Sequence, residues 1–474
     1  MSMSRNDGRE TESISSPDTL GCRARLIDGV YVVRNHEQNN VSLVCWPRKF
    51  ELGTATNSVL QLLADLSESG VVVDIETWYE VELASSCHQE TTNILARLIA
   101  YGWTKIDVPV GDRGMLCLTP REVPAATFST TNYESTCTLS KFAVVTQEDR
   151  EWTIELPHSW CDVMISDIAV VDAILEVGAS TSVVDLSHRI HRSLFMWAGL
   201  LVDPAKEVAT LMSAQWSPHE LWFHSKTRRF GRQRDYGGTF WAADRFDPPP
   251  FQPKPSGSSD VVQLDSFDEE TARLSFGTLY DVAERRKSHR KHDDANPIHR
   301  RQLSEFLYRT MRVRALHVED GFEYANKPYP SGGSAYETET YLLVRLVEGV
   351  PPGLWRYDSQ AHALVCVRSG IRNEHVQALL RSVTKSSTED TQPQAVVFLA
   401  PRFSRIMWKY EQIGYSVMVK NVGVVMAMMS LVATDMGLAC CAIGSGDSDS
   451  FNRAIGVDPL ECSSVGEMTL GSYG

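Results

Sequence analysis

The sequence predicts an α+β protein built in two parts, and three observations predict it. "DPPPFQPKPSGSSD", residues 247–260, holds five prolines and three serines in fourteen positions. Proline fixes φ and lacks a backbone donor, so regular structure is excluded there and a linker is expected. After it, helical and strand patterns alternate, as in helices layered on a central mixed sheet. Before it, one arrangement occurs twice: two apolar-faced helical segments, then a short apolar run. A chain of 474 residues, set against ~100–200 per domain, has room for all of this. The expected divisions are a disordered tail at 1–20, a first module at 21–125, and a second with its connecting segment at 126–246. The linker at 247–264 and a C-terminal domain at 265–474 complete them.

The tail, "MSMSRNDGRETESISSPDTLG", is polar and has no apolar signal-peptide core. In the first module "SVLQLLADLSESG" precedes "TTNILARLIAYGWTKIDV"; in the second "DIAVVDAILEVG" precedes "HRIHRSLFMWAGLLVD". Each second segment reaches a glycine, Gly102 or Gly199, before an apolar run. Glycine there is helix-stop chemistry, and two helices followed by a strand fit a pair of winged-helix-like modules. Beyond the linker, "QLSEFLYRTM" sets Leu303, Phe306, Leu307 and Met311 on one helical stripe, and "YLLVRLV" reads as a strand. "GLWRYDSQAHALVCV" turns at Asp358-Ser359 as a hairpin would. "AVVFLA" and "LACCAIG" read as buried strands with the helix "NVGVVMAMMSLVATDMG" between them.

A net charge of −14 excludes general nucleic-acid binding, because the overall field repels phosphate. Any anion site must be local. The ten cysteines are scattered without metal-ligand spacing, as expected of reduced thiols in a cytosolic protein without a metal site. The uncharged run Val422–Thr434 spans thirteen residues, short of the ~20 that cross a bilayer, so no membrane span is expected.

Four constellations could carry chemistry. "ERRKSHRKHDD" opens a stretch, 285–314, with ten Lys or Arg against three Asp or Glu; guanidinium forks and a hydroxyl suit a phosphate monoester, and a solvated helix end is the plainer reading. "KPYPSGGSAYETE" has a Gly-Gly turn that can approach a flat ligand closely. "LACCAIGSGDSDS" runs a strand into Gly444-Ser445-Gly446 without the spacing of a nucleotide fingerprint. In "WKYEQIGYS", Lys409 and Tyr410 follow a buried strand. Burial there would make the lysine a base, and surface exposure would make it unremarkable.

Taken in order, these pieces resemble the FMN-dependent, nitroreductase-like dehydrogenases of the SagB type, which include the cyanobactin oxidases. "RRKSHR" is similar to the family's R-x-S-x-R, implying Arg286, Ser288 and Arg290 on the FMN phosphate. "YPSGGSAYETE" resembles P-S-x-G-x-x-Y-x-x-E, implying Pro330, Ser331, Gly332 and Gly333 along the isoalloxazine. "GLWRYD" resembles the family's hairpin, and "MGLACCAIGSGD" its closing strand, with Gly444 and Ser445 near the ring. "KYEQIGYS" matches K-Y-x-x-x-x-Y, implying Lys409 and Tyr410 as the catalytic pair. Further upstream, "HELWFHSKTRRFGRQRDYGGTF" is similar to a segment of longer family members that carry peptide-recognition modules.

The resemblance implies oxidation of thiazoline or oxazoline rings in a ribosomally made precursor peptide. It also implies a homodimer with flavin at its interface and a cyclodehydratase as partner. The chain departs from the family at Ile413 and Ser416, where arginine is usual. It departs again at Val424, Ala427 and Met428, where the family's G-H-x-x-Q-N has His, Gln and Asn after a glycine kept here as Gly423. Two other readings remain: an NAD(P)H-dependent nitroreductase, and a non-catalytic scaffold that binds the peptide.

Overall fold

The computed structural model describes residues 21–45, 48–73, 88–124, 128, 136–148, 150–157, 159–180, 186–228, 238–253, 260–267, 277–386 and 392–474. The expected tail lies outside them, as does part of the Pro-rich stretch. Two compact units result, Met1–Gly231 and Arg232–Gly474.

The first unit runs β1 (Arg23–Leu26), β2 (Tyr31–Asn35), β3 (Asn40–Cys45), β4 (Arg48–Thr54), α1 (Asn57–Glu68), β5 (Val71–Val72), α2 (His88–Ala100), β6 (Thr104–Pro109) and β7 (Met115–Pro120). It continues with β8 (Thr138–Leu139), β9 (Val144–Glu148), β10 (Glu151–Glu155), β11 (Cys161–Ile165), α3 (Ala169–Ala179), α4 (Leu186–Trp197) and β12 (Leu201–Val202). Both helix stops are where the glycines put them: Gly102 and Gly199 take φ of 66° and 75°, the left-handed region open to glycine. The two repeats are fused. Their strands form one antiparallel sheet, β5-β1-β6-β7-β11-β10-β9, joined where Cys117 of β7 faces Met164 of β11. A single core, with Leu98, Leu118, Val163 and Phe195, lies beneath it.

The second unit runs β13 (Val261–Gln263), α5 (Leu279–Arg285), α6 (Arg300–Met311), β14 (Ala315–Glu319), β15 (Phe322–Asn326), β16 (Thr338–Val344), β17 (Gly353–Asp358), β18 (Ala363–Ser369) and α7 (Glu374–Ser386). It ends with β19 (Ala395–Pro401), α8 (Phe403–Met407), α9 (Gly414–Asp435), β20 (Ala439–Ile443), α10 (Ser448–Ile455) and β21 (Gly466–Gly471). The sheet order is β13-β18-β17-β16-β19-β21-β20. Every ladder in it is antiparallel, which corrects the expected mixed sheet. Hairpins join β16, β17 and β18, and β21 runs opposite to both of its neighbours. Side chains alternate across the sheet as the two-residue period demands. Leu342 and Val397 enter the core shared with α6 and α9, while Leu343 and Phe398 enter the one shared with α7 and α10.

The apolar run beginning at Val422 belongs to a longer helix. α9 has 22 residues and is long and apolar enough to cross a membrane by length and composition alone. Here its Val422, Val425, Met429 and Val432 are packed in the core. Residues 240–251, read from sequence as connector and linker, also pack within this unit. Ala242 and Phe251 are buried, and Arg405 Nη1 donates to the Pro249 carbonyl at 2.6 Å. Arg402 reaches the carbonyls of Pro250 and Phe251. A proline run has no N–H to offer a sheet, but its carbonyls still need donors, and two buried arginines supply them.

Candidate active site

β19 delivers the chain into the short α8, and Lys409 and Tyr410 follow directly. Lys409 is buried at 9% exposure. Its Nζ donates to the Gly333 carbonyl at 3.3 Å and lies over the rings of Phe240, Tyr324 and Tyr410 at 4.9, 5.1 and 5.8 Å. Burial, and then the Arg405 cation, hold its ammonium below the usual lysine range, while Glu319 opposes the shift. Arg405 is fully buried, donates to three carbonyls and stacks over Phe322 at 4.2 Å. Burial lowers it to about 10.

Facing the lysine is the Gly-Gly turn. Gly333, Ser334 and Tyr336 have φ of 60°, 52° and 45°. Left-handed backbone at non-glycine residues is strained and persists only where packing dictates it. A Cβ on Gly333 would strike the Tyr410 hydroxyl and stand 3.0 Å from Lys409 Nζ. Only glycine lets the turn, the phenol and the amine meet.

A buried polar cluster anchors this turn to α9. Asn421 Nδ2 donates to Glu337 Oε1 at 2.9 Å and to Ser331 Oγ at 3.2 Å, and Asn421 Oδ1 accepts the Gly332 N–H at 3.2 Å. Ser331 Oγ donates to Glu337 Oε2 and accepts the Tyr336 N–H. The hydroxyl of Ser331 and the amide of Gly332 are therefore engaged internally, whereas Pro330 is exposed. Glu337, at 1% exposure, is raised above the usual carboxyl range by burial. Close by in the electrostatic sense, Lys327 is 5% exposed, and burial lowers it to about 8 against the pull of Glu339 and Glu337.

The phosphate-type residues gather at the other end of α9. A cavity of about 370 Å³ is lined by Arg286, Lys287 and Ser288 together with Ala427 and Ser430 of α9 and Cys441 of β20. Asn421 and Ser430 are nine residues apart, so the two regions stand roughly 14 Å apart along the helix. Arg290 is exposed and does not line the cavity; Gly444 and Ser445 are exposed just beyond β20. Of the departures, Ser416 is buried and accepts from Lys420 Nζ at 3.0 Å, Val424 and Ala427 are exposed, and Met428 is half-buried. Sequence reasoning missed Glu337, Asn421, Lys327, Arg405 and Phe240. Glu337 and Lys327 flank the Gly-Gly motif, and their charge inside an apolar-aromatic stretch was the available signal.

Residues 283–471 match the Nitroreductase family, so the second unit carries a nitroreductase domain, the fold of an oxidoreductase family. Residues 137–234 match the cyanobactin oxidase ThcOx family. Two family models thus match this one chain, each over part of it. Protein MJ1384 of Methanocaldococcus jannaschii, which carries a nitroreductase name, is 29% identical over 186 residues, 39% of this chain and 85% of its own. An Anabaena variabilis structure described as a nitroreductase is 19% identical and covers 52% of this chain with a TM-score of 0.37. This chain spans 45% of that one. The Escherichia coli microcin synthetase McbBCD complex with truncated pro-MccB17 includes a chain 20% identical, covering 52% of this chain and 85% of its own, with a TM-score of 0.35.

Nitroreductase-family proteins typically bind FMN. The residues here fit that group: two cationic side chains and a hydroxyl line a cavity at one end of α9, and a glycine turn without side chains lies at the other.

Proposed function

We propose that this chain is an FMN-dependent dehydrogenase that converts thiazoline or oxazoline rings of a ribosomally made precursor peptide to thiazole or oxazole. Bound FMN supplies the acceptor for the hydride that leaves the ring, with dioxygen as the simplest reoxidant. Lys409 takes the ring C–H proton, Tyr410 orients the heterocycle, and Gly332 and Gly333 let the flat cofactor approach. Arg286 and Ser288 hold the phosphate, with Arg290 at the outer edge. The observation that carries the reading is the meeting of Lys409 Nζ, Tyr410 Oη and Gly333 in one corner, with the lysine itself buried and its ammonium held below its usual range. A base poised nearer neutrality is what proton abstraction needs.

The exposed apolar residues Tyr415, Val419 and Val424 of α9 support a homodimer with the cofactor at its interface. The first unit, as a pair of winged-helix-like modules, would recognise the peptide, with a cyclodehydratase as partner in the cytosol. The test is to incubate purified, yellow protein with an azoline-containing peptide and look for a loss of about 2 Da, the mass of two hydrogens. Unchanged turnover in Lys409→Ala would remove the assigned base. Efficient NAD(P)H-driven reduction of a nitroarene without azoline oxidation would favour a nitroreductase.

A further inference from the structure

We propose that residues 238–246 complete the active site, with Phe240 as the positioning residue for Lys409; the proposal rests on the reading of Lys409 as the base. This strap is tied to the lysine's own segment at three points. The Phe240 N–H donates to the Lys409 carbonyl at 3.1 Å. Trp241 Nε1 donates to the Met407 carbonyl at 2.6 Å, and Trp408 Nε1 donates to the Phe246 carbonyl at 2.9 Å. A Cβ on Gly238 would come within 2.8 Å of Lys409 Cε, so the strap lies directly on the lysine stem.

The Phe240 ring packs edge-on against Trp408, with centroids 5.7 Å apart, and turns a face toward Nζ. With Tyr324 of β15 and Tyr410 it forms a three-sided aromatic box, each wall from a different element. Ring faces attract an ammonium but cannot take its proton. The one hydrogen-bond acceptor at Nζ among the described residues is the Gly333 carbonyl. The box therefore aims the amine at the turn where substrate and cofactor would meet. It also makes ionisation a balance: three ring faces favour the cation, while burial and Arg405 of α8 disfavour it. Glu319 of β14 favours the cation, the phenols of Tyr324 and Tyr410 are neutral walls, and Asp244 and Arg245 of the strap are exposed. Phe240 lies outside residues 283–471, so the family-matched domain alone lacks one wall of its own base site.

The test is carbon-13 NMR of full-length protein labelled at lysine Cε, with Lys409 assigned by its loss in Lys409→Arg. Expected are ring-shifted ε protons with an NOE to the Phe240 ring. Phe240→Leu keeps an apolar cover without a ring, so the ε protons should move toward exposed-lysine values. The titration midpoint should fall by about 0.5 to 1 pH unit, whereas Phe240→Trp should preserve both signals. A folded Phe240→Leu protein with the wild-type shift and midpoint would overturn the proposal. So would absence of the NOE in wild-type protein, which needs no variant to fold. No azoline enters this readout. Full turnover by Lys409→Ala would sink the base assignment and leave the NMR outcome standing.

Discussion

The two ends of α9 solve different problems. Its first half, at Asn421, meets strained backbone and a buried carboxyl, on the side of the three-sided aromatic box and of an amine with one acceptor among the described residues. Its second half, at Ala427 and Ser430, faces exposed cations across a cavity of about 370 Å³. One end is tightly packed and hydrogen-bonded, the other open and charged. The labour is divided: the packed end sets chemistry, where small displacements are costly, and the open end sets affinity through charge-assisted hydrogen bonds.

The largest effect is expected of Lys409→Ala. Azoline oxidation should fall by about 10²- to 10⁴-fold, the span of general-base catalysis, while flavin absorbance at about 450 nm stays. Loss of both together would mean that the ends are not separable. The packed end should next declare itself in stability against pH. Lys327 falls from 10.5 to about 8 on folding, so between those values the unfolded chain binds more protons and stability rises with pH. At neutral pH the buried cation costs about 3 kcal/mol. Urea titrations should show midpoints climbing from pH 8 to 10 in the wild type and flattening in Lys327→Met.

At the open end, Arg286→Ala should weaken FMN binding roughly 10- to 100-fold, the worth of a charged hydrogen bond, with turnover at saturating FMN unchanged. Arg290→Ala should do less, because Arg290 does not line the cavity. Fluorescence titration separates the two. The smallest effect is expected of Glu337→Gln, which keeps the shape of the cluster and removes the charge. Glu337 is raised on folding, so its carboxylate costs stability above the folded value, and that cost vanishes in acid. The variant should melt slightly higher at neutral pH, by no more than about 1 kcal/mol, and converge with the wild type at low pH.

Lys409, Tyr410 and Gly333 were legible in the sequence because each belongs to a short motif, and the α6 stripe and the hairpin at Asp358 because periodicity and turn chemistry are local. The Asn421–Glu337 bond was not legible, since its partners stand 84 residues apart and neither is unusual alone. The same holds for Phe240, which meets Lys409 from across the Pro-rich stretch. That stretch looked like a linker because proline forbids ladders; its carbonyls found Arg402 and Arg405 instead. Strand direction was also hidden, because alternation of apolar residues reports burial and not which way a neighbour runs.

The position of β21 bears on how the protein is made. Residues 466–471 lie between β19 and β20, both of which come earlier in the chain. During synthesis those two strands wait, apolar and with unpaired edges, until residue 471 has emerged from the ribosome. The second unit is thus bound to a late, long-range closure step, and until that step the nascent domain depends on chaperones or speed to avoid pairing its open strands with another chain.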